Sequence, residues 1–219
     1  TAAGVIGVRY ARYEKVQGVK ETATTLVSSG SPTVFGAPVT FTATVAAALP
    51  GQTPTGTVNF NDGANPIASC QNVALNGSGV ASCITSSLSV GAHPMTAVYS
   101  GSANHDPSTS NVLNQIVIKA NTTTTIVSDT PDPSVVGQNY TVTIAVAPVA
   151  PGAGTPAGNV TVSDGTNTCV AILPATSCVL SSTSAGAKTL TATYSGDGNF
   201  NGSVSATASH TVNKADTTT

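Results

Sequence analysis

A motif that recurs at a fixed interval constrains a chain more than any single residue, because each copy must be a unit that folds in the same way. Residues 94–105 read PMTAVYSGSANH and residues 189–200 read TLTATYSGDGNF. Tyr99 and Tyr194 stand 95 positions apart, and Lys119-Ala120 and Lys214-Ala215 keep the same interval. Upstream, Thr57 to Gly63 (TVNFNDG) answers Asn159 to Gly165 (NVTVSDG) at an interval of 102, and Gly36 answers Gly137 at 101. The interval shrinks along the copy, so the second copy has the shorter middle. The copies are placed at 22–120 and 121–215, with 1–21 ahead of them and 216–219 behind.

Inside each copy the apolar period is two. Val39, Phe41, Ala43 and Val45 alternate with Thr40, Thr42 and Thr44, and Tyr140, Val142, Ile144 and Val146 do the same. Met95, Ala97 and Tyr99 answer Leu190, Ala192 and Tyr194. Such alternation puts one face on a core and one in water, as in antiparallel sheets. Six or seven short runs per copy, broken by Gly, Pro, Asn and Asp, predict a two-sheet sandwich in each. Composition agrees: charged residues are 7% of the chain, against about 25% in ordinary soluble domains, and Thr and Val dominate over helix formers. A net charge of −2 with seven basic residues supplies no phosphate-neutralising surface, which argues against nucleic acid as a partner. No apolar run is long enough for a transmembrane helix, so no membrane insertion is expected of this segment.

The four cysteines fall in two local pairs, Cys70/Cys83 and Cys169/Cys178, with no metal-ligand or redox spacing among them. In a hairpin, opposed residues share one midpoint, and for Cys70 and Cys83 it lies between Asn76 and Gly77. Asn-Gly is a strong hairpin signal. Counting outward puts the two cysteines at a non-hydrogen-bonded pair, with Cα atoms about 4.5 Å apart and within reach of a disulfide. The same count in the second copy centres on Leu173-Pro174, which needs a wider loop or a cis-proline type VI turn. Two disulfides within their own copies are predicted, and with them an oxidising compartment.

At this point the residues resemble the bacterial immunoglobulin-like repeats of large surface proteins. Gly36 to Val45 (GAPVTFTATV), Pro54 to Gly63 (PTGTVNFNDG) and Thr191 to Phe200 (TATYSGDGNF) carry the resemblance, which covers about 22–215. Copy one departs from the pattern at Ser102 and His105, where the family has Asp and Phe, and the chain has no Trp. The resemblance implies an all-β fold of two tandem immunoglobulin-like antiparallel β-sandwiches in a rod. It also implies an extracellular or bacterial cell-surface location, a spacer, adhesive or fibre role, and no catalytic residue.

Asp62-Gly63 and Asp164-Gly165 read as β-turns, since a calcium site needs about six to eight oxygens and the nearby acids are too few. Asp197 with Asn199 and Asn201 reads as a loop hydrogen-bonding cluster, because copy one has Ser102 in place of Asp197. His93, His105 and His210 stand apart from any nucleophile motif, and His210 aligns with Gln115, so its position accepts a neutral amide. Gly77-Ser78-Gly79 sits at a hairpin tip with no helix behind it to hold a phosphate. Sequons at Asn121, Asn159 and Asn201 are expected by chance in a Thr-rich chain, and one or two lysines per copy give isopeptide bonds little support. The chain is therefore expected to be no enzyme, with no cofactor and no metal.

The terminal segments differ from the copies. Arg9, Arg12, Lys15 and Lys20 crowd the first twenty positions with Tyr10 and Tyr13, while Val19-Lys20-Glu21 resembles the Lys119-Ala120 join. Residues 1–21 read as the last strand of a preceding domain or as a strand donated to a neighbour, and 216–219 as the start of a further repeat. Three roles follow: a structural module of an extracellular stalk, adhesin or fibre; a filament subunit polymerising by β-strand addition; or a weak glycan- or protein-binding adhesin domain. Partners are expected among other copies or neighbouring domains of the same protein, with a host-surface or matrix ligand as the alternative.

Overall fold

The computed structural model describes residues 20–48 and 51–216. Repeat 1 contains β1 (Thr22–Ser28), β2 (Thr33–Val34), β3 (Val39–Ala47), β4 (Thr57–Asp62), β5 (Asn65–Pro66), β6 (Val73–Ala74), β7 (Val80–Thr85), β8 (Gly91–Tyr99), β9 (Ser108–Thr109) and β10 (Leu113–Ile118). Repeat 2 contains β11 (Thr122–Thr130), β12 (Ser134–Val135), β13 (Asn139–Pro148), β14 (Gly158–Ser163), β15 (Thr168–Leu173), β16 (Ser177–Ser181), β17 (Gly186–Tyr194), β18 (Ser203–Val204) and β19 (Ala208–Asn213). In each repeat a three-stranded sheet, β1-β3-β7 or β11-β13-β16, faces a larger one, β2-β10-β8-β4-β5 or β12-β19-β17-β14-β15. The fold is all-β, two sandwiches in tandem, as the period-two runs predict. No helix among the described residues is long and apolar enough to cross a membrane.

The alternating residues do what the period demands. Val39, Phe41, Ala43 and Val45 are buried, and so are Met95, Ala97 and Tyr99 from the opposite sheet. Tyr140, Val142 and Ile144 face Leu190, Ala192 and Tyr194 in the second core. Each core tyrosine finds a partner for its hydroxyl: Tyr99 donates to the Thr55 carbonyl at 2.5 Å and Tyr194 to that of Ala157 at 2.8 Å. A buried hydroxyl without such a partner would cost about 1–3 kcal/mol.

Two departures from the sequence reading have topological causes. The sheets are not wholly antiparallel, because β2 runs parallel to β10 and β12 parallel to β19. The first strand of each repeat begins in the small sheet, breaks at Ser31-Pro32 or at Thr130-Pro131 and Asp132-Pro133, and continues beside the last strand of the large sheet. The second departure is a correction to the hairpin derivation of the disulfides. Cys70 is bonded to Cys83 and Cys169 to Cys178, with Cα atoms 5.5 and 5.9 Å apart. The strands they flank do not pair, however. Cys83 on β7 lies opposite Phe41 of β3, while Cys70 ends a single 3-10 turn (Ala68–Cys70) beside the large sheet. Cys169 sits on β15, which pairs with β14, and Cys178 on β16, which pairs with β13. Each bond therefore staples one sheet to the other at the edge of the sandwich.

The Asn76-Gly77 turn changes accordingly. A two-residue hairpin would keep both strands in one sheet, whereas this connection has to step between layers. It closes as a longer loop, with Asn76 N–H donating to Val80 and Gly79 N–H to Asn76, both at 2.9 Å. Gly79, not Gly77, takes the left-handed conformation (φ 75°). A Cβ there would lie 2.6 Å from the Val45 carbonyl oxygen, so the position needs glycine on two counts. In repeat 2 the Leu173-Pro174 peptide is cis, and Ala175 N–H donates to the Ile172 carbonyl at 2.9 Å.

Candidate functional site

Two places concentrate specific contacts: the joint between the repeats and the buried polar pole of repeat 2. At the joint, three residues (Lys119, Ala120 and Asn121) lie between β10 and β11. Ala120 is fully buried, its N–H donates to Asn199 at 2.9 Å, and its carbonyl accepts from Asn201 N–H at 2.8 Å. From repeat 1, Val34 and Phe35 pack on the second core, and the Phe35 ring meets that of Phe200 edge-on at 5.6 Å. The Phe35 carbonyl accepts from Ala153 N–H at 3.3 Å, and Lys119 Nζ donates to the Asp197 carbonyl at 2.5 Å.

Small residues let these surfaces approach. A Cβ on Gly152 would come within 2.6 Å of the Ala120 methyl, and one on Gly36 would collide with the Ala153 carbonyl. The loop holding Phe200 is built by Asp197, whose Oδ1 accepts from Asn199 and Phe200 N–H and whose Oδ2 accepts from Ala157 N–H, all at 2.8 Å. Burial pushes the Asp197 carboxyl up, but the backbone hydrogen bonds from Ala157, Asn199 and Phe200 outweigh it and hold the group below the ordinary range. Asp197 is thus a loop organiser with its oxygens committed to protein donors. In repeat 1 the same corner uses Ser102 and His105, joined Oγ to Nδ1 at 3.2 Å. Lys20 meets that corner as Ala120 meets its own: Lys20 N–H donates to Asn104 at 3.0 Å and its carbonyl accepts from Asp106 N–H at 2.9 Å. Residues 1–19, read above as a donated strand or the end of a preceding domain, and 217–219, read as the start of a further repeat, lie outside the described residues.

The second place lies at the far pole of repeat 2. His210 on β19 is 1% exposed and stacks on Tyr140 with ring centroids 3.9 Å apart. Its Nδ1 lies 2.5 Å from Asp129 Oδ2 and 3.5 Å from Asp132 Oδ1, and its Nε2 lies 2.8 Å from Ser134 Oγ. Ser134, His210 and Asp129 thus stand in the order of a nucleophile, base and orienting acid. Ser134 has 0% exposure, so no substrate reaches its hydroxyl in this fold. Linear spacing hides this cluster, because it spans β11, the β11–β12 turn, β12 and β19. The signal available in the sequence was comparative: Asp129, Asp132, Ser134 and His210 align with Ser28, Ser31, Thr33 and Gln115.

Repeat 1 builds the same frame from neutral groups. Ser28 Oγ donates to Gln115 Oε1 at 2.7 Å, Gln115 Nε2 donates to Thr33 Oγ1 at 3.1 Å, and Ile116 N–H donates to Ser31 Oγ at 3.0 Å. Thr211 N–H donates to Asp132 Oδ1 at 2.9 Å in the position of that last bond.

The two Asp-Gly turns also diverge. Asp164 is buried; its Oδ1 accepts from Thr166 and Asn167 N–H, and its Oδ2 from Asn167 Nδ2 and, at 2.5 Å, from Ser182 Oγ. Burial alone would raise this carboxyl, but the donors from Ser182, Asn167 and Thr166 win and hold it at about 2. Asp62 instead pairs with His93 Nδ1 at 2.6 Å, while His93 Nε2 faces the Ser89 carbonyl at 2.8 Å. Burial pushes His93 down, but the bonds to Asp62 and Ser89 and the Asp62 charge raise it overall. Asp164 has both carboxylate oxygens committed to protein donors, and Asp62 commits Oδ2 to His93, so neither turn gathers the roughly six to eight oxygens of a calcium shell.

The profile of the bacterial Ig-like domain (group 3) matches residues 26–118 and 127–213. No curated protein matches the sequence significantly. Among solved structures, the fibronectin(III)-like modules of Clostridium thermocellum CbhA are similar at 18% identity and TM-score 0.34, covering 86% of this chain and 92% of that one. The Yersinia pseudotuberculosis adhesin InvE is similar at 17% identity and TM-score 0.40, covering 87% of this chain and 58% of that one. The Escherichia coli adhesin FdeC is similar at 13% identity and TM-score 0.29, covering 87% and 64%.

Proposed function

Because the chain belongs to the bacterial Ig-like domain (group 3) family, we infer that it serves as a structural module of an extracellular surface stalk, adhesin or fibre. The observation that carries this reading is the joint. A short connection, three residues between β10 and β11, with Ala120 hydrogen-bonded to Asn199 and Asn201 and Phe35 of repeat 1 against Phe200 of repeat 2, couples neighbouring sandwiches stiffly. Flexible domain linkers are instead polar and make few cross-domain contacts. Two strand-length units give a rod of roughly 80 Å. At the other end of repeat 2, Val135-Val136-Gly137 occupies the place of Val34-Phe35-Gly36, and Lys214-Ala215-Asp216 that of Lys119-Ala120-Asn121. These residues form a half-joint suited to a further repeat. Sheet-to-sheet disulfides belong to an oxidising, extracellular setting.

A glycan-binding role has less support. A groove of about 570 Å³ in repeat 1, lined by Asp62, Asn65, Ile84 and Ser87 among others, has no aromatic wall on which a sugar ring could stack. Small-angle scattering and single-particle imaging test the stalk reading. The chain should give one extended particle with a narrow distribution of inter-repeat angles. Phe35→Ser, at a partly buried side chain, should broaden that distribution while both repeats stay folded. A wild-type chain already freely jointed would overturn the reading.

A further inference from the structure

We propose that Asp129, Asp132 and His210 form a binding site for one divalent transition-metal ion of the zinc class. Three donor atoms of mixed kind, one imidazole nitrogen and two carboxylate oxygens, lie within 4.8 Å of one another. The nitrogen is on a buried ring clamped against Tyr140, so it is already positioned. Nδ1 and Asp132 Oδ1 are 3.5 Å apart, close to the roughly 3.4 Å between ligands of a tetrahedral ion with bonds of about 2.0–2.1 Å. Asp129 Oδ2, at 2.5 Å from Nδ1, has to swing outward by under an ångström.

The surroundings are those of a ligand set. A metal-bound imidazole needs an acceptor for its other N–H, and Ser134 Oγ stands 2.8 Å from Nε2. A ligating carboxylate needs orienting, and Thr211 N–H donates to Asp132 at 2.9 Å. Asp132 is 38% exposed, which leaves an entry path and room for water at a fourth position.

Comparison within the molecule supplies the independent argument. Repeat 1 satisfies the same backbone and side-chain frame with Ser28, Ser31 and Gln115, so the fold does not require charges here. Repeat 2 changes all three positions to metal-ligating types together. Two carboxylates against one buried ring carry surplus negative charge, and a divalent cation neutralises it. Binding forms one bond to Nδ1 and one to each carboxylate, and the imidazole stays neutral, its single proton on Nε2 where Ser134 Oγ accepts it. Calcium fits poorly, because a nitrogen donor and two carboxylates fall short of its oxygen shell.

The test is titration of the chelator-stripped full chain with zinc chloride by calorimetry, alongside thermal melts. The expected result is one ion per chain and a rise in the melting temperature of repeat 2 by roughly 5–10 °C in excess zinc. Asp129→Ser with Asp132→Ser and His210→Gln writes the repeat 1 residues into repeat 2 and should weaken binding at least tenfold. Asp132→Asn, at an exposed side chain whose amide oxygen still accepts from Thr211, guards against a folding defect and should weaken binding about tenfold. No saturable binding by the wild-type chain, or equal binding by these variants, would overturn the proposal.

Discussion

Repeat 1 closes its pole with Val39 and Gln115, whereas repeat 2 places Tyr140 and His210 there, yet the strand order around them is the same. In repeat 2, Asp164, Ser182 and Tyr140 form a hydrogen-bonded chain, and Tyr140 stacks on His210, which reaches Asp129 and Ser134. In repeat 1 the corresponding positions are split between an Asp62–His93 pair and a separate amide network around Gln115. A sandwich accepts either interior because every buried polar side chain among the described residues has a partner. Topology is set by the apolar alternation common to both repeats, and the polar pole is free to vary so long as it is satisfied as a unit.

Breaking the disulfides tests what the repeats share. Reduction should cost each about 3 kcal/mol by loop-closure entropy. The 13-residue separation in repeat 1 should cost only about 0.3 kcal/mol more than the 9-residue one in repeat 2. Chemical denaturation with and without reductant measures it; a large asymmetry would show that staple position, rather than loop length, governs the effect.

Tyr140→Val writes the repeat 1 residue into the repeat 2 pole. It removes the stack on His210 and the bond to Ser182 and leaves a cavity, so repeat 2 should lose roughly 2–3 kcal/mol. Hydrogen exchange of β13 and β19 amides reports the loss, while repeat 1 amides should be unchanged. A loss below about 0.5 kcal/mol would mean the pole repacks freely.

The two repeats should respond to pH in opposite directions. Asp164, lowered from 3.8 to about 2, stabilises the folded state above about pH 4 and ceases to as the pH falls through about 2. The contribution is about 2 kcal/mol, and Asp164→Asn should flatten the acid limb of repeat 2. His93 is raised, so its contribution to repeat 1 is fully present below its unfolded value of 6.5 and is lost as the pH rises through the folded one. Repeat 1 should therefore be slightly more stable at pH 5 than at pH 8, a difference that His93→Gln abolishes. Melts of the full chain, followed by repeat-specific amides, check both signs. Equal acid sensitivity in the two repeats would remove the distinction drawn from Asp164.

Much of the fold was legible without coordinates. The twice-written Tyr-Ser-Gly motif and the period-two runs through Phe41 and Val142 locate both sandwiches, because alternation and repetition are properties of the linear chain. Cys70 and Cys83 were paired through hairpin parity, but the bond joins two sheets, since parity counts positions along one ladder and cannot register a change of layer. His210 read as a lone residue beside a neutral alignment partner. Its neighbours Asp129, Asp132 and Ser134 lie some 80 positions upstream. They meet it only because the first strand of the repeat crosses from the small sheet to the edge of the large one, beside β19. Local pattern sets which face of a strand is apolar, since that follows from backbone geometry one residue at a time. Which polar groups share a buried pole depends on strands far apart in sequence, and tertiary packing alone brings them together.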